Sequence, residues 1–153
     1  MKKFSLVLVA CLSAWSARAQ APRVRSVRLN AYPLSSSTLI GVDSADIQQS
    51  APTKVTLKQG QVFVRRLDEM LAAKDSIPVG RFKSRFVRFR FNVFYQGGTT
   101  RAIYVAQGST LLSRGRLYRL DNELKTLLRA FIPNPNEYLP VRAPRNEATQ
   151  PGR

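Results

Sequence analysis

The stretch from Arg85 to Tyr95 constrains the fold more than any other part of the chain. Val87, Phe89, Phe91, Val93 and Tyr95 share one side of a period of two; Phe86, Arg88, Arg90, Asn92 and Phe94 share the other. Alternation of this length suits an antiparallel strand with one face buried and one face in water. Gly97-Gly98 follows, then Arg101-Ala102-Ile103-Tyr104-Val105, so a hairpin is expected. Burial sets its register. A two-residue Gly97-Gly98 turn pairs Val93 with Ala102 and Phe91 with Tyr104, leaving Ile103 and Val105 on the arginine face. A three-residue Gly97-Gly98-Thr99 loop pairs Val93 with Ile103 and Phe91 with Val105, which gathers the β-branched residues on the apolar face. A slip of one residue inverts a whole strand, so the odd-length loop is predicted, with one glycine taking the positive φ of a bulge.

The rest of the chain supplies partners for that hairpin. Val24 to Tyr32 alternates as a strand, with Val27, Leu29 and Ala31 on one face and Arg28, Asn30 and Tyr32 on the other; Pro33 ends it. Thr38 to Val42 is a short second strand and Asp43 to Ser50 a loop. Gln61 to Lys74 is a helix whose stripe is Phe63, Leu67, Met70 and Leu71. Thr110 to Leu120 contains a further strand, with a kink or turn at Arg114-Gly115. Asp121 is placed to cap a second helix, Glu123 suits the positive end of its dipole, and Leu124, Leu127, Leu128 and Phe131 form its apolar stripe. Pro133 ends that helix. The prolines beyond it, with no apolar period, predict a disordered tail over 133–153.

Segregated helices and consecutive antiparallel strands point to a two-layer α+β domain spanning residues 20–132. An antiparallel sheet of about four strands carries two helices packed on one face. In this reading Val87 belongs with Phe89, Phe91 and Val93 in the core, and Arg88 and Arg90 face solvent.

Residues 1–19 read as a signal peptide. Lys2 and Lys3 open it, an apolar run follows, and Ala17-Arg18-Ala19 fits the small-x-small cleavage pattern. Its apolar run of about a dozen residues is shorter than the roughly 20 that span a bilayer, and arginine interrupts every later one, so no transmembrane helix is expected. Export to the periplasm or beyond the cell follows. The alternative is a lipobox in Leu8-Val9-Ala10-Cys11, which would place a lipid anchor on Cys11.

Composition removes whole classes of chemistry. There is no histidine, and Cys11 is the one cysteine. A His-dependent triad, a His or Cys zinc site and any disulfide in the body are therefore excluded. Asp68 and Glu69 are adjacent on a helix and their side chains diverge. Asp43 and Asp46, in a loop, lack the ligand density of a calcium site. Ser35-Ser36-Ser37 has no base in a motif context, and Gly97-Gly98 precedes a strand rather than the helix of a phosphate-binding loop. No catalytic residue, cofactor or metal is assigned, and the chain is expected not to be an enzyme.

Charge is the remaining signal. The chain carries 25 basic residues against 9 acidic ones; without Lys2, Lys3 and Arg18 the balance is 22 against 9, about +13. Arg81, Lys83, Arg85, Arg88 and Arg90 crowd one stretch, interleaved with Phe82, Phe86 and Phe94, and Arg114, Arg116 and Arg119 form a second group. Arginine's planar fork suits carboxylate and phosphate. Arg81, Lys83, Arg88, Arg90 and Arg116 are thus the candidate anion ligands. The expected function is a non-enzymatic binding or structural module of the bacterial cell envelope, with an anionic polysaccharide or lipid headgroup as partner. Two alternatives stay open: a hydrolase or lyase built on carboxylates and arginine, which needs two acids converging in a cleft, and a nucleic-acid-binding protein, which export disfavours. A blander account of the same arginines is a solvated sheet face that guards its edges.

Overall fold

The structure, a computed structural model, describes residues 22–33, 41–82, 86–107 and 109–140. The expected leader with Cys11, the strand expected over Thr38 to Val42 apart from its last two residues, the candidate Lys83, its neighbour Arg85, and the chain beyond residue 140 lie outside the described residues.

Among the described residues six strands form one antiparallel sheet: β1 (Val24–Ala31), β2 (Thr53–Thr56), β3 (Val87–Tyr95), β4 (Thr100–Ala106), β5 (Thr110–Ser113) and β6 (Arg116–Arg119). Their order is β2-β1-β3-β4-β5-β6, so the long alternating strand β3 sits inside the sheet between β1 and β4. Four helical segments accompany them: α1 (Ile47–Ser50), α2 (Gly60–Ala72), α3 (Asn122–Phe131) and α4 (Pro135–Tyr138). The α+β class holds, but the sheet has six strands rather than about four. Part of the difference lies at Arg114-Gly115, where φ values of 49° and 70° make a two-residue turn that divides one expected strand into β5 and β6. The rest is β2, four residues long and too short to show a period, which is held by pairing with β1.

The β3–β4 hairpin has an odd-length loop, but it begins one residue early. Tyr95 donates its N–H to Thr99 O, which leaves Gln96-Gly97-Gly98 as the loop, and both glycines have positive φ. Phe91 therefore opposes Ile103, and Phe89 opposes Val105. A shift of two keeps every side chain on its expected face. It also brings Arg101 opposite Val93, on the face that the helices cover.

Both long helices bury their stripes against that face. Phe63 of α2 lies 4.9 Å from Phe91 and 5.4 Å from Phe131 of α3, centroid to centroid. Leu67, Leu71, Leu124, Leu127 and Leu128 complete the layer with Val27, Leu29, Ile103 and Val105. Gly60 opens α2 because β1 passes so close: a Cβ there would stand 2.8 Å from Val27 Cγ2. Asp121 caps α3 as expected, accepting from the Leu124 N–H at 2.9 Å.

Three expectations are corrected. The domain does not stop at residue 132: Tyr138 and Leu139 are buried in the main core, Tyr138 sits 6.4 Å from Phe89, and Arg129 donates to the carbonyls of Pro135 and Leu139. Apolar anchors two turns beyond Pro133 thus bind a segment whose composition reads as tail. The Asp43–Ser50 stretch is not all loop, because Asp43 Oδ1 accepts from the Ala45 and Asp46 amides and starts the turn that becomes α1. Val87 is the third. A register shift between Val87 and Phe89 adds a residue to β3 and sends Val87 to the opposite face. There it joins Val42, Ile47 and Ala51, packed by Tyr32 and Tyr104, under α1. Among the described residues no helix is long and apolar enough to cross a membrane.

Candidate functional site

Five acids of the described residues are occupied, among them Asp43, Asp68, Asp121 and Glu123. Asp68 chelates Arg101, with Nη1 at 3.0 Å and Nη2 at 2.8 Å, and also accepts from Arg114 at 2.8 Å. Lys74 spans Asp121 and Glu123 at 2.6 and 2.7 Å. The amides of Asp46 and Ala45 hold the Asp43 carboxyl below its usual range. Among the described residues no group of three or more Asp and Glu side chains forms a metal-holding cluster.

The five candidate cations part company. Arg88 is 1% exposed, and its Nη2 donates to Gln107 Oε1 at 3.0 Å. Burial pushes its guanidinium below the usual range, with Tyr32 working against that shift. The expectation that Arg88 faces solvent beside Arg90 is therefore corrected, and the bulge at the start of β3 is the cause. Arg116 is exposed on β6, the sheet edge farthest from β2. Arg81 ends a 3₁₀ turn, Val79–Arg81, and Lys83 lies outside the described residues. Among the described candidates Arg90 lines a sizeable cleft.

That cleft is an open basin of about 710 Å³ on the sheet face opposite α2 and α3. Strand register lays out its floor. Lys54, Asn30 and Arg90 form one row across β2, β1 and β3; Thr56, Arg28 and Asn92 form the next. Arg28 and Lys54 are exposed, and Arg90 is half-buried. No carboxylate of the described residues lines the basin; Arg28, Lys54 and Arg90 make no ion pair among the described residues, whereas Arg101, the fourth cation of its lining, is paired with Asp68.

The cations differ in what they have left to offer. Arg90 is held on all sides by neutral groups: its Nε donates to Asn92 Oδ1 at 2.9 Å and its Nη1 to Ser44 O at 2.5 Å. With the Gln48 carboxamide oxygen turned toward it, Nη2 donates there at 2.6 Å, and the guanidinium lies 5.4 Å from the Tyr104 ring centre. Arg90 contributes a fixed charge with few spare N–H groups. Lys54 donates to Gln49 O at 2.8 Å and keeps two donors free. Arg28 rests 5.3 Å over the Phe94 ring, a contact that orients the guanidinium without using its N–H groups. The best-equipped anion ligand is thus Arg28.

Sequence reasoning passed over both Arg28 and Lys54. Arg28 carried a signal: it alternates with Asn30 and Tyr32 on the polar face of the first strand. Lys54 carried none, because β2 shows no pattern of its own.

Comparison of the chain with protein families, curated proteins and solved structures finds no match in any of the three.

Proposed function

We propose that this protein is a non-enzymatic binding module of the cell envelope that holds an anionic ligand on the open face of its sheet. One observation carries the reading: Arg28, Lys54 and Arg90, unpaired by any carboxylate among the described residues, line a basin of about 710 Å³ in which no described carboxylate stands. Like charges gathered without counter-ions repel one another, and a bound anion relieves that repulsion. Arg101, also in the lining, is neutralised by Asp68, and away from the basin Arg65, Lys74 and Arg114 have carboxylate partners. The leader-like residues 1–19, with cleavage after Ala19 or lipidation at Cys11, support delivery outside the cytoplasm.

The experiment is a titration of the purified protein with a soluble polyanion over a range of salt. Affinity should fall steeply as salt rises, and Arg28→Ser should reduce both the affinity and the salt slope. Affinity indifferent to salt, or unchanged in Arg28→Ser, refutes the reading. An intact mass of the exported protein beginning at Gln20, or at an acylated Cys11, tests the envelope location; a mass beginning at Met1 speaks against it.

A further inference from the structure

We infer that the basin takes a carboxylate-bearing glycan segment, an inference that rests on the anion-binding function proposed above. Size is the first argument. About 710 Å³ falls within the roughly 300–1,000 Å³ typical of small-molecule sites. A water takes only about 30 Å³ of liquid volume, so a lone phosphate or sulfate would leave most of the basin to solvent.

The second argument is the placing of the cations. Lys54 and Arg90 flank Asn30 on one row, and Arg28 sits on the next. Neighbouring strands lie about 4.8 Å apart, which separates Lys54 from Arg90 by about 10 Å along the sheet. Three cations rooted on three strands, with Lys54 tied to Gln49 O and Arg90 to Ser44 O, offer an extended ligand several points of attachment. Both β1 and β3 are paired on both sides, so their backbone N–H groups are committed to the ladder and offer no anion nest.

Recognition therefore falls to side chains, and the neutral ones between the cations are carboxamides and hydroxyls: Asn30, Asn92, Thr56 and Thr100. Asn92 Oδ1 is taken by Arg90 Nε and the Asn30 amide by Gln48 O, which leaves the Asn92 amide as a donor and the Asn30 oxygen as an acceptor toward sugar hydroxyls that each donate and accept. The Arg28 fork matches a carboxylate in two parallel hydrogen bonds. An anionic membrane surface fits less well, because the exposed large apolar residues of the described chain, Val79 at 49% and Phe86 at 41%, lie in the α2–β3 link and do not line the basin. Single-stranded nucleic acid needs successive stacking rings. Phe94 is the basin's one aromatic among the described residues, and Arg28 covers it.

The test is isothermal titration of the purified protein with four probes: a short oligogalacturonate, the same oligomer fully methyl-esterified, inorganic phosphate, and phosphatidylglycerol vesicles. The oligogalacturonate should bind tightest, with the ester at least about tenfold weaker. Arg28→Lys should lose about tenfold, the equivalent of one charge-assisted hydrogen bond, and Arg28→Ser more. Arg28 is exposed, so both variants should melt with the wild type. Equal binding of the ester, or full affinity in Arg28→Lys, overturns the glycan. Tighter binding of phosphate or vesicles that Arg28→Ser abolishes also overturns the glycan while keeping the anion site. Indifference of Arg28→Ser toward all four probes removes both.

Discussion

Arg101 of β4 and Asp68 of α2 lock the sheet to its helical layer through two parallel hydrogen bonds of 2.8 and 3.0 Å. The Arg101 side chain is 10% exposed and Asp68 28%. Burial alone would lower the Arg101 guanidinium, but Asp68 and then Tyr95 raise it overall. Ser113 Oγ accepts from the same guanidinium, so one arginine ties β4, β5 and α2 together. Losing Asp68 strands that charge. Asp68→Ala should destabilise the domain by about 2 kcal/mol, somewhat below the roughly 3–5 expected when a fully buried pair is broken. Urea melts of Asp68→Ala, Arg101→Met and the double variant should give a non-additive cycle; additive losses would mean that the pair is not coupled.

The two faces of β3 should respond differently to truncation, though neither is silent. Phe91 packs on Phe63 in the main core, and Phe91→Ala should cost about 3–5 kcal/mol. Arg90 joins Asn92, Ser44 and Gln48, so Arg90→Ala should cost about 1–2 kcal/mol through orphaned acceptors. Equal losses for the two, read from denaturant midpoints, would contradict the layering.

Arg88 behaves as a core residue. Arg88→Ser should lower the melting temperature markedly, whereas Arg28→Ser should leave it within a degree or two, since surface changes stay within about 0.5 kcal/mol. Reversed thermal shifts would reverse the assignment of which arginine is structural. Any binding study that removes Arg88 and Arg90 together will therefore mix unfolding with lost affinity.

Gly60 is required by contact rather than by φ. Gly60→Ala places a Cβ 2.8 Å from Val27 Cγ2 and 3.2 Å from Val27 N. Ala is otherwise the better helix former, so its substitution should stabilise by about 1 kcal/mol on propensity alone. A net loss of about 1 kcal/mol or more in a thermal melt is expected because β1 must move. A gain would show that α2 can lift away from β1 freely.

The clamp between the long helices sets a pH window. Burial on its own would raise the Asp121 carboxyl, but the Leu124 amide and the Lys74 ammonium hold it below its ordinary 3.8. Lys74 is raised above its ordinary 10.5 by Asp121 first and Glu123 second. The carboxylate's contribution is complete above about pH 4 and is lost as pH falls through its lower folded value. The ammonium's is complete below about pH 10.5 and is lost as pH rises through its higher one. Asp121→Asn keeps a capping oxygen and removes the charge. Its stability should be less sensitive to acid than the wild type's below pH 4, and unchanged acid sensitivity would show that the clamp is idle.

What the sequence made legible is what periodicity can carry. The alternation of β3, the odd hairpin loop, both helical stripes and the Asp121 cap follow from local pattern and burial. A bulge leaves no such mark: one extra residue near Arg88 turned Val87 to the second face and buried a charge that alternation had assigned to water. The register of β2 against β1 is likewise a tertiary fact, and it alone sets Lys54 beside Arg28. The candidate site was thus half visible, as arginines on a polar strand face, and its centre lay one strand away from where density of charge suggested.

The proposed anion site is the basin around Arg28. Its most direct test is an amide chemical-shift titration of isotopically labelled protein with oligogalacturonate at low salt. Saturable shifts are expected at Arg28, Asn30, Lys54, Asn92 and Phe94, with Arg116 and Arg119 on β6 unmoved. Shifts centred on β6, or spread evenly over the basic surface, would contradict it.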